Sequence, residues 1–252
     1  MIIDMAGGSH RFADRVAKLL EHVEYRCAVS STDREAVYRL RYEVYLRQNL
    51  LNPRLEGMLY DERYDNSSIA FTIMTIVEGQ LASTIRVHVV TSESPTSPAL
   101  DVFPDIISPL LQAGRTILDP TRLAASAEMS KRYPELPYFA LRPAWMAAEH
   151  FDGDFIVVSS SVGHEAFYRR VIGYERWSGL RSYPQVTAKV ICMGLDFATS
   201  KSRVETRYPS FRSTRREREA LFGGTALSQT AATPLPSRRF VGETAMAGIT
   251  AA

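Results

Sequence analysis

The sequence predicts an α/β (α+β) fold in which a single mixed, mostly antiparallel sheet is flanked by helices. Two strand-like runs, residues 69–77 and 81–90, are separated by Glu78-Gly79-Gln80, which is a strong hairpin signal. Residues 155–161 form a short, nearly all-apolar run that is typical of a strand covered on both faces. Successive strands followed by strand–helix alternation indicate one mixed sheet in one domain.

The first half of the chain shows helix start and stop signals around the hairpin. Residues 11–23 place their apolar side chains on one helical face, which predicts a helix on the domain edge, with peripheral membrane contact as the alternative. Thr32 and Glu35 form a capping-box pattern that opens the next helix. Residues 103–114 predict a short helix that ends in glycine.

Two more helices and two closing strands complete the predicted domain. Residues 137–151 are rich in Ala, Leu, Met and aromatic side chains, with Pro143 either in the first turn or at a kink. Residues 162–173 have a helical pattern that ends in glycine, and residues 174–183 and 188–197 have the pattern of strands.

We divide the chain into three parts, of which the last differs from the others in charge. We interpret residues 1–23 as an N-terminal helical extension, residues 24–198 as the main domain, and residues 199–252 as a basic tail for which we expect disorder, with a short basic helix within residues 207–223 as the alternative for that part. Residues 201–252 carry 9 Lys/Arg against 4 Asp/Glu, although the whole chain has a net charge of only +2.

Composition excludes several classes of protein. No run approaches the roughly 20 apolar residues that span a bilayer, and the start lacks the features of a signal peptide, so we expect a cytoplasmic protein. The basic residues of the main domain are scattered, which argues against a nucleic-acid partner. The two cysteines and five histidines show no ligand spacing, so we expect no metal site.

The common motifs for nucleotide binding and for nucleophilic catalysis are absent. Among the histidines, His164 stands just inside a predicted helix and close to Tyr168. A local hydrogen bond at the helix start is a commoner role for such a histidine than catalysis, and both interpretations stay open.

Acids and arginines recur around the predicted strand ends. The long loop over residues 48–67 has no periodicity, and a loop of this length in a compact domain is usually functional. Taken singly, each charged residue predicts only a surface ion pair worth about 0–1 kcal/mol. The residues of this pattern are Arg41, Asp61, Glu62, Asp65, Arg86, Asp119 and Arg122.

The order of these motifs resembles the acyl-homoserine-lactone synthases. The segments LRYEVYLR, YDERYDNSS, STIRVHVV and ILDPTRLAAS follow one another as in those enzymes, and the stretch HEAFYRRVIGYERWSGLRSYPQV is similar to the N-acyl amino acid synthases. The resemblance covers about residues 24–198 and implies an N-acyltransferase-like fold, with that range as the catalytic domain. It pairs Arg41 with Tyr45, and Asp119 with Arg122.

Some positions differ from the lactone synthases. Leu50 and Leu51 stand where those enzymes usually have tryptophan, and Asp119 replaces glutamate in the acid–x–x–Arg motif. These differences point away from S-adenosylmethionine as a substrate. The chain also lacks the Arg/Gln–x–x–Gly–x–Gly/Ala loop with which many acetyl-CoA enzymes hold the pyrophosphate, which fits a donor on acyl carrier protein.

The resemblance implies transfer of a long acyl chain from a thioester to the α-amine of an amino acid. The donor would be an acyl carrier protein phosphopantetheine thioester or an acyl-CoA, with no bound cofactor. An acyl-homoserine-lactone synthase or a polyamine N-acyltransferase is the nearest alternative, and a non-catalytic module that binds an acyl carrier or a lipid is the more distant one.

An amine attacks a thioester directly, so no serine or cysteine nucleophile is required, but the ammonium must first lose a proton. We expect Asp119 to be the base, with Glu62 or Asp65 behind it. The oxyanion needs donors such as the backbone N–H groups of a strand bulge. Arg86 and Arg122 are candidates for the substrate carboxylate, although Arg122 could instead orient Asp119.

The remaining candidate residues would bind the substrate, line the acyl channel or dock the carrier protein. Arg41 is expected to tie its helix to the acidic loop, residues 60–68, rather than to bind substrate. Tyr45, Asp61, His164 and Tyr168 complete the candidate substrate site. The candidate acyl-channel residues are Met129, Tyr138, Phe139, Trp145 and Met146, although a Met/aromatic helix face is more often core. The candidate carrier-docking residues are Arg169, Arg170, Arg176 and Arg181, with the basic stretch 201–218 as a second source. A solvated helix face explains Arg169 and Arg170 equally well.

Overall fold

The computed structural model describes residues 15–224, which form a mixed sheet with helices on both faces. The strands are β1 (Val23–Cys27), β2 (Ala70–Val77), β3 (Gln80–Val90), β4 (Ile117–Ala125), β5 (Phe155–Ser160), β6 (Glu175–Arg176), β7 (Arg181–Ser182) and β8 (Lys189–Asp196). The helices are α1 (Ser31–Arg47), α2 (Glu62–Asp65), α3 (Pro98–Val102), α4 (Pro104–Gln112), α5 (Ala127–Arg132), α6 (Leu136–His150), α7 (Val162–Val171), α8 (Phe197–Arg207) and α9 (Arg215–Phe222), with a 3₁₀ turn at Pro209–Phe211.

The strands follow the order β1-β2-β3-β4-β5-β8-β6, and β7 pairs with β8. Every pair is antiparallel except β4 and β5. The predicted β2–β3 hairpin is confirmed, with Glu78 at φ 51° and Gly79 at φ 77° between the paired Val77 and Gln80. Two central residues with positive φ match the twist of antiparallel strands, which explains why glycine stands in this turn.

A gap opens in the middle of the sheet. Strands β4 and β5 pair only at Ile117 with Phe155 and at Leu118 with Ile156. Beyond these residues β5 continues its pairing with β8, whereas β4 continues its pairing with β3. The two strands therefore diverge, and the space between them is filled by side chains and by a cavity rather than by ladder hydrogen bonds.

A bulge in β4 lies at the edge of this gap. Arg86 pairs with Thr121 and Thr84 pairs with Ala124, so two residues of β4 oppose one residue of β3. Arg122, within the bulge, has φ 54°. Bulges redirect side chains and interrupt pairing, and they are frequent beside active sites.

Helix α6 packs on one face of the sheet and helices α3 and α4 on the other. Pro143 lies inside α6 and has no N–H to donate to the Phe139 carbonyl. The Tyr25 hydroxyl donates to that carbonyl at 3.1 Å, so the acceptor that proline frees is satisfied from β1. This contact explains how a proline is accommodated in a buried helix.

Two predicted boundaries are wrong. Helix α1 is capped by Ser30, whose side chain accepts from the Asp33 N–H at 3.0 Å, because Glu35 pairs with Arg39 instead of closing a capping box at Thr32. The domain does not end at residue 198.

The predicted disorder from residue 199 onward is wrong for residues 199–222, which belong to α8, the 3₁₀ turn and α9, whereas the short basic helix expected within residues 207–223 is confirmed as α9. Phe211, Leu221 and Phe222 are buried in the main core and hold this segment against α6. Thr214 and Glu217 form a capping box at the start of α9. Residues 1–14 and 225–252, which include the rest of the predicted extension and tail, lie outside the described residues.

No helix between residues 15 and 224 has the length and the apolar character that a bilayer crossing requires.

Candidate active site

A cavity of about 530 Å³ occupies the gap between β4 and β5. Its walls come from the end of α1, the β4 bulge, the end of β5, the first turns of α6 and α7, and the segment that enters β8. Apolar side chains dominate the interior, and polar ones gather on the β4 bulge and at the start of α7. The interior residues include Val44, Leu50, Pro120, Leu123, Ala125, Pro137, Ala140, Val158, Phe167, Val186 and Val190. Such a space suits an apolar ligand with a polar end.

Beside the cavity, a buried ion cluster links α1, the acidic loop and β3. Asp65 Oδ1 accepts from Arg41 Nη1 at 2.8 Å and lies 2.8 Å from Arg86 Nη1. The Arg86 N–H bonds do not point at this oxygen, so the contact is an ion pair without hydrogen-bond alignment. Asp65 Oδ2 accepts from the Asp61 N–H at 2.8 Å. Both arginine side chains are fully buried, and the Asp65 side chain is 2% exposed.

The cluster carries a net positive charge. Burial raises the pKa of Asp65, but the two guanidinium groups outweigh it and hold this pKa well below its ordinary value. Burial and the nearby Arg86 lower the pKa of His88 to about 3, so its ring is neutral. With both oxygens engaged, the ionised Asp65 is a poor proton acceptor, and the geometry argues against the catalytic role predicted for it. Arg41 ties α1 to the acidic loop, as expected for a structural role.

Asp119 is fully buried on β4, on the α3 side of the sheet. One oxygen, Oδ2, accepts from the Ala99 N–H at 2.9 Å, and Oδ1 has no partner among the described residues. Burial raises the pKa of Asp119 to about 6, against the opposing effect of the Ala99 N–H and the Ser97 hydroxyl. The carboxyl group does not line the cavity, but the next two residues of β4 do.

Arg122 projects from the bulge and lines the cavity. Its guanidinium carbon lies 5.7 Å from the centre of the Tyr45 ring and 6.0 Å from that of Tyr183. Its Nη2 donates to Gln185 Oε1 at 2.9 Å rather than to Asp119. The alternative in which Arg122 pairs with Asp119 is therefore wrong, and the guanidinium lines the cavity with Gln185 as its hydrogen-bond partner.

The two other acids of the loop differ in position. The Asp61 side chain caps α2 and accepts from Gln185 Nε2 at 2.8 Å. Glu62 is exposed at the first position of α2 and does not line the cavity. Its predicted role as a base has no support in this geometry, because it faces solvent.

His164 and Tyr168 both line the cavity from α7. His164 Nδ1 lies 3.1 Å from Ser161 Oγ, the local hydrogen bond expected of a histidine at a helix start. Burial raises the pKa of Tyr168 to about 12, so its hydroxyl keeps its proton. The two side chains can thus shape the polar end of the cavity.

The predicted acyl channel is wrong. None of its five side chains lines the cavity, because four are packed in the cores and the fifth, Tyr138, packs at a tilt against the Tyr208 ring. Met129 lies with Leu136 in a small core, and Phe139, Trp145 and Met146 are fully buried in α6. The small residues of the same helix, above all Ala140, border the space instead.

The four predicted docking arginines are not equivalent. Arg181 is engaged by Asp105 at 2.5 and 2.7 Å, and Arg176 donates to Ser178 and Glu165, so neither is a free cation. Arg169 and Arg170 are exposed at the end of α7. Arg203 and Arg207 belong to the basic stretch 201–218 that was expected as a second source of docking charge, and α8 brings them beside α7 through bonds to the Ile172 and Arg170 carbonyls.

Sequence reasoning expected a strand bulge without locating it, and it missed Tyr183, which lines the cavity, and Gln185, which bonds to Arg122 beside it. The signal for the last two was the RSYPQV segment, whose likeness to the N-acyl amino acid synthases was noted without assigning its residues a role. Within residues 15–224, no three His, Cys, Asp or Glu side chains are grouped as a metal ion would require.

One family model and several solved structures match this chain. The model, described as N-acyl amino acid synthase FeeM, covers residues 36–196. No curated protein sequence matches the chain.

The structural matches are similar in fold at low identity. The structure of FeeM, an N-acyl amino acid synthase from uncultured soil microbes, is 18% identical, with a TM-score of 0.61 over 73% of this chain and 96% of that one. The AHL synthase LasI is 15% identical, with a TM-score of 0.51 over 69% and 91%. The CoA-dependent acyl-homoserine lactone synthase BjaI, solved with SAM and isopentyl-CoA, is 14% identical, with a TM-score of 0.51 over 79% and 97%. The predicted N-acyltransferase-like fold is confirmed.

Proposed function

Because this chain belongs to the N-acyl amino acid synthase FeeM family, we propose that it moves a long-chain acyl group from an acyl carrier protein thioester to the α-amine of an amino acid. Family membership makes the chain an acyltransferase. The observation that carries the finer proposal is the apolar cavity in the β4–β5 gap, which ends at the bulge and at Arg122.

The reaction requires no covalent enzyme intermediate. The free amine attacks the thioester carbonyl, a C–N bond forms, and the tetrahedral oxyanion collapses with cleavage of the C–S bond. The attacking nitrogen loses a second proton as the amide forms and the departing thiolate takes up a proton, so the products are a neutral amide and a thiol. Backbone N–H groups of the bulge around Arg122 and Leu123, which have no register partner on β3, supply donors for the oxyanion.

Asp119 is the proposed base for the ammonium proton. Its pKa of about 6 suits proton transfer near neutral pH, because the group is ionised at pH 7 but still basic enough to accept a proton. It adjoins Pro120 and Thr121 of the cavity wall, and its Oδ1 has no partner among the described residues. A water or a local rearrangement would connect this oxygen to the amine.

Arg122 is the proposed partner of the substrate carboxylate. A planar guanidinium binds a carboxylate in bidentate fashion, and the flanking rings of Tyr45 and Tyr183 hold its plane. Arg86, the other candidate, is fully buried beside Asp65 and does not line the cavity. In this proposal Arg86 neutralises the charge of the buried Asp65 carboxylate.

Ala140 offers a test of the acyl pocket. Replacing it by Val, Leu and Phe in turn should shift the product to progressively shorter acyl chains, since Ala140 borders the cavity from α6. Each methylene that no longer fits should lower kcat/KM for the long donor by roughly 10–200-fold. Product chain lengths from mixed donors, read by mass spectrometry, check this. A loss of activity that is equal for all chain lengths would contradict the pocket assignment.

The exposed arginines at the end of α7 offer a test of carrier docking. Acyl carrier protein is acidic, so the double variant Arg169→Glu/Arg170→Glu should raise KM for the acylated carrier about 10-fold by opposing electrostatic steering. Turnover with the matching acyl-CoA should not change. The reversal Arg39→Glu, on the exposed side of α1, is the matched control. Equal losses with both donors would remove the docking proposal.

The product itself tests the function. Lipid extracts from an expression host should contain an N-acylated amino acid only when the intact chain is present, and mass spectrometry would name the amino acid and the chain length together. Formation of an acyl-homoserine lactone that depends on S-adenosylmethionine, or acylation of a polyamine, would replace the proposal. Binding of an acyl donor without any product would indicate a non-catalytic module.

A further inference from the structure

The segment between β7 and β8, residues 183–188, forms one side of the cavity mouth. Thr187 anchors it to the chain that follows α1. Its N–H donates to the Leu50 carbonyl and its hydroxyl to the Asn49 carbonyl, each at 2.9 Å. Gln185 makes the second attachment of this segment, through bonds to two candidate site residues.

Gln185 bridges two groups of opposite charge. Its Oε1 accepts from Arg122 Nη2 at 2.9 Å, and its Nε2 donates to Asp61 Oδ2 at 2.8 Å. The residue itself has φ 65°, a conformation that residues other than glycine adopt rarely and at some cost. The side-chain bridge therefore holds the segment in a backbone conformation that is otherwise disfavoured.

The two partners are otherwise free to bind a ligand. The Arg122 side chain makes no other hydrogen bond within residues 15–224, and it lines the cavity. Asp61 uses Oδ1 to cap α2 through the Arg63 N–H at 3.2 Å, so Oδ2 is the oxygen that faces Gln185. A cation that lines the cavity and an anion outside its wall thus stand on either side of one neutral amide.

We propose that the Gln185 amide occupies the subsite of the zwitterionic end of the amino acid substrate, which displaces it on binding. The substrate carboxylate then binds Arg122, and its ammonium binds Asp61 before Asp119 takes the proton. This proposal rests on the proposed function. An amide presents an acceptor oxygen and a donor nitrogen two bonds apart, and an α-amino acid presents a carboxylate oxygen and an ammonium nitrogen three bonds apart, so the pattern of donor and acceptor is the same.

The substrate wins this competition because its groups are charged. Each bond of Gln185 has one ionised partner, whereas each bond of the substrate joins two ionised partners and gains direct charge–charge attraction. Release of Gln185 also frees its backbone from the positive-φ conformation. An amine without a carboxylate would displace the amide yet leave Arg122 unpaired. Gln185 is therefore a specificity-determining residue that favours free amino acids over simple amines.

Two substitutions of Gln185 test the displacement. Asparagine tolerates positive φ and keeps the amide but is one methylene too short for both partners, so Gln185→Asn should lower KM for the amino acid about 3–10-fold, the value of a hydrogen bond that no longer competes, with kcat within about twofold. Gln185→Glu should raise this KM about 10-fold, because its carboxylate binds Arg122 with charge assistance. Thr187→Ala loosens the same segment without touching the amide and should leave KM within about twofold.

The assay uses the full chain with palmitoyl-CoA, each of the twenty standard amino acids, and thiol release as the readout. The best amino acid is then compared with its carboxamide, which should have a higher KM with the wild type because it cannot pair with Arg122. Product formation with an unchanged or higher KM in Gln185→Asn would overturn the displacement alone. No product with any amino acid, from this donor or from the acylated carrier, would overturn the proposed function and this proposal with it.

Discussion

Replacement of Asp119 by Asn should lower kcat by about 10²–10⁴-fold, the usual loss when a general base is removed. The amide cannot accept the ammonium proton, although its oxygen can still accept from the Ala99 N–H and keep α3 in place. Steady-state rates with a saturating acyl donor and amino acid measure this effect.

The pH profile separates catalysis from folding for this residue. In the wild type, kcat/KM should rise with pH through about 6 as Asp119 becomes ionised, and this limb should disappear in Asp119→Asn. Stability should behave in the opposite way: burial raises the pKa in the folded state, so the wild type loses stability as pH rises from about 4 to 6, and the variant should not. A variant that folds and retains wild-type kcat would contradict Asp119 as the base.

Replacement of Asp65 by Asn should lower the free energy of unfolding by about 3–5 kcal/mol, because it leaves the buried guanidinium groups of Arg41 and Arg86 without a counter-charge. Urea denaturation at pH 7 measures the change. The effect should persist well into the acid range, since the pKa of Asp65 is depressed in the folded state and its contribution is lost only as pH falls through that low value.

A surface pair provides the matched control for Asp65. Glu35 accepts from Arg39 on the exposed side of α1. Glu35→Gln therefore removes the carboxylate of a solvent-exposed ion pair and leaves no unpaired charge in the interior. Its unfolding curve should match that of the wild type within error. If Asp65→Asn were as stable as the wild type but inactive, Asp65 would act in the chemistry rather than in the fold.

The fold was accessible to sequence reasoning because its signals are local. The alternation in residues 69–90 and the Glu78-Gly79 turn define the hairpin without any distant contact. The disorder predicted from residue 199 failed because the helices there are held by tertiary packing: Phe211, Leu221 and Phe222 are among the few large apolar residues of a basic stretch, and they become structural by packing into the main core with α6.

The sequence identified the charged residues of the candidate site, but it did not predict how they are arranged or which of them are paired. The charged residues on α1, the acidic loop, β3 and β4 were identified in sequence, yet nothing local distinguishes Asp65, with both oxygens paired, from Asp119, with one oxygen unpaired. The acyl-channel prediction failed for a related reason. A helix face of Met and aromatic residues has the same pattern in a core as in a pocket, and α6 uses its large side chains for the core and Ala140 for the cavity.

Local periodicity, turn chemistry and the order of charged motifs were enough to establish the class of fold, the hairpin and the kind of chemistry. The divergence of β4 from β5, the positive-φ bulge at Arg122 and the contact of Gln185 with Asp61 depend on segments that lie between 35 and 124 residues apart in the chain. Such contacts form only when the sheet assembles, because the loss of strand pairing that opens the cavity is a property of neighbouring strands and is encoded in neither strand alone.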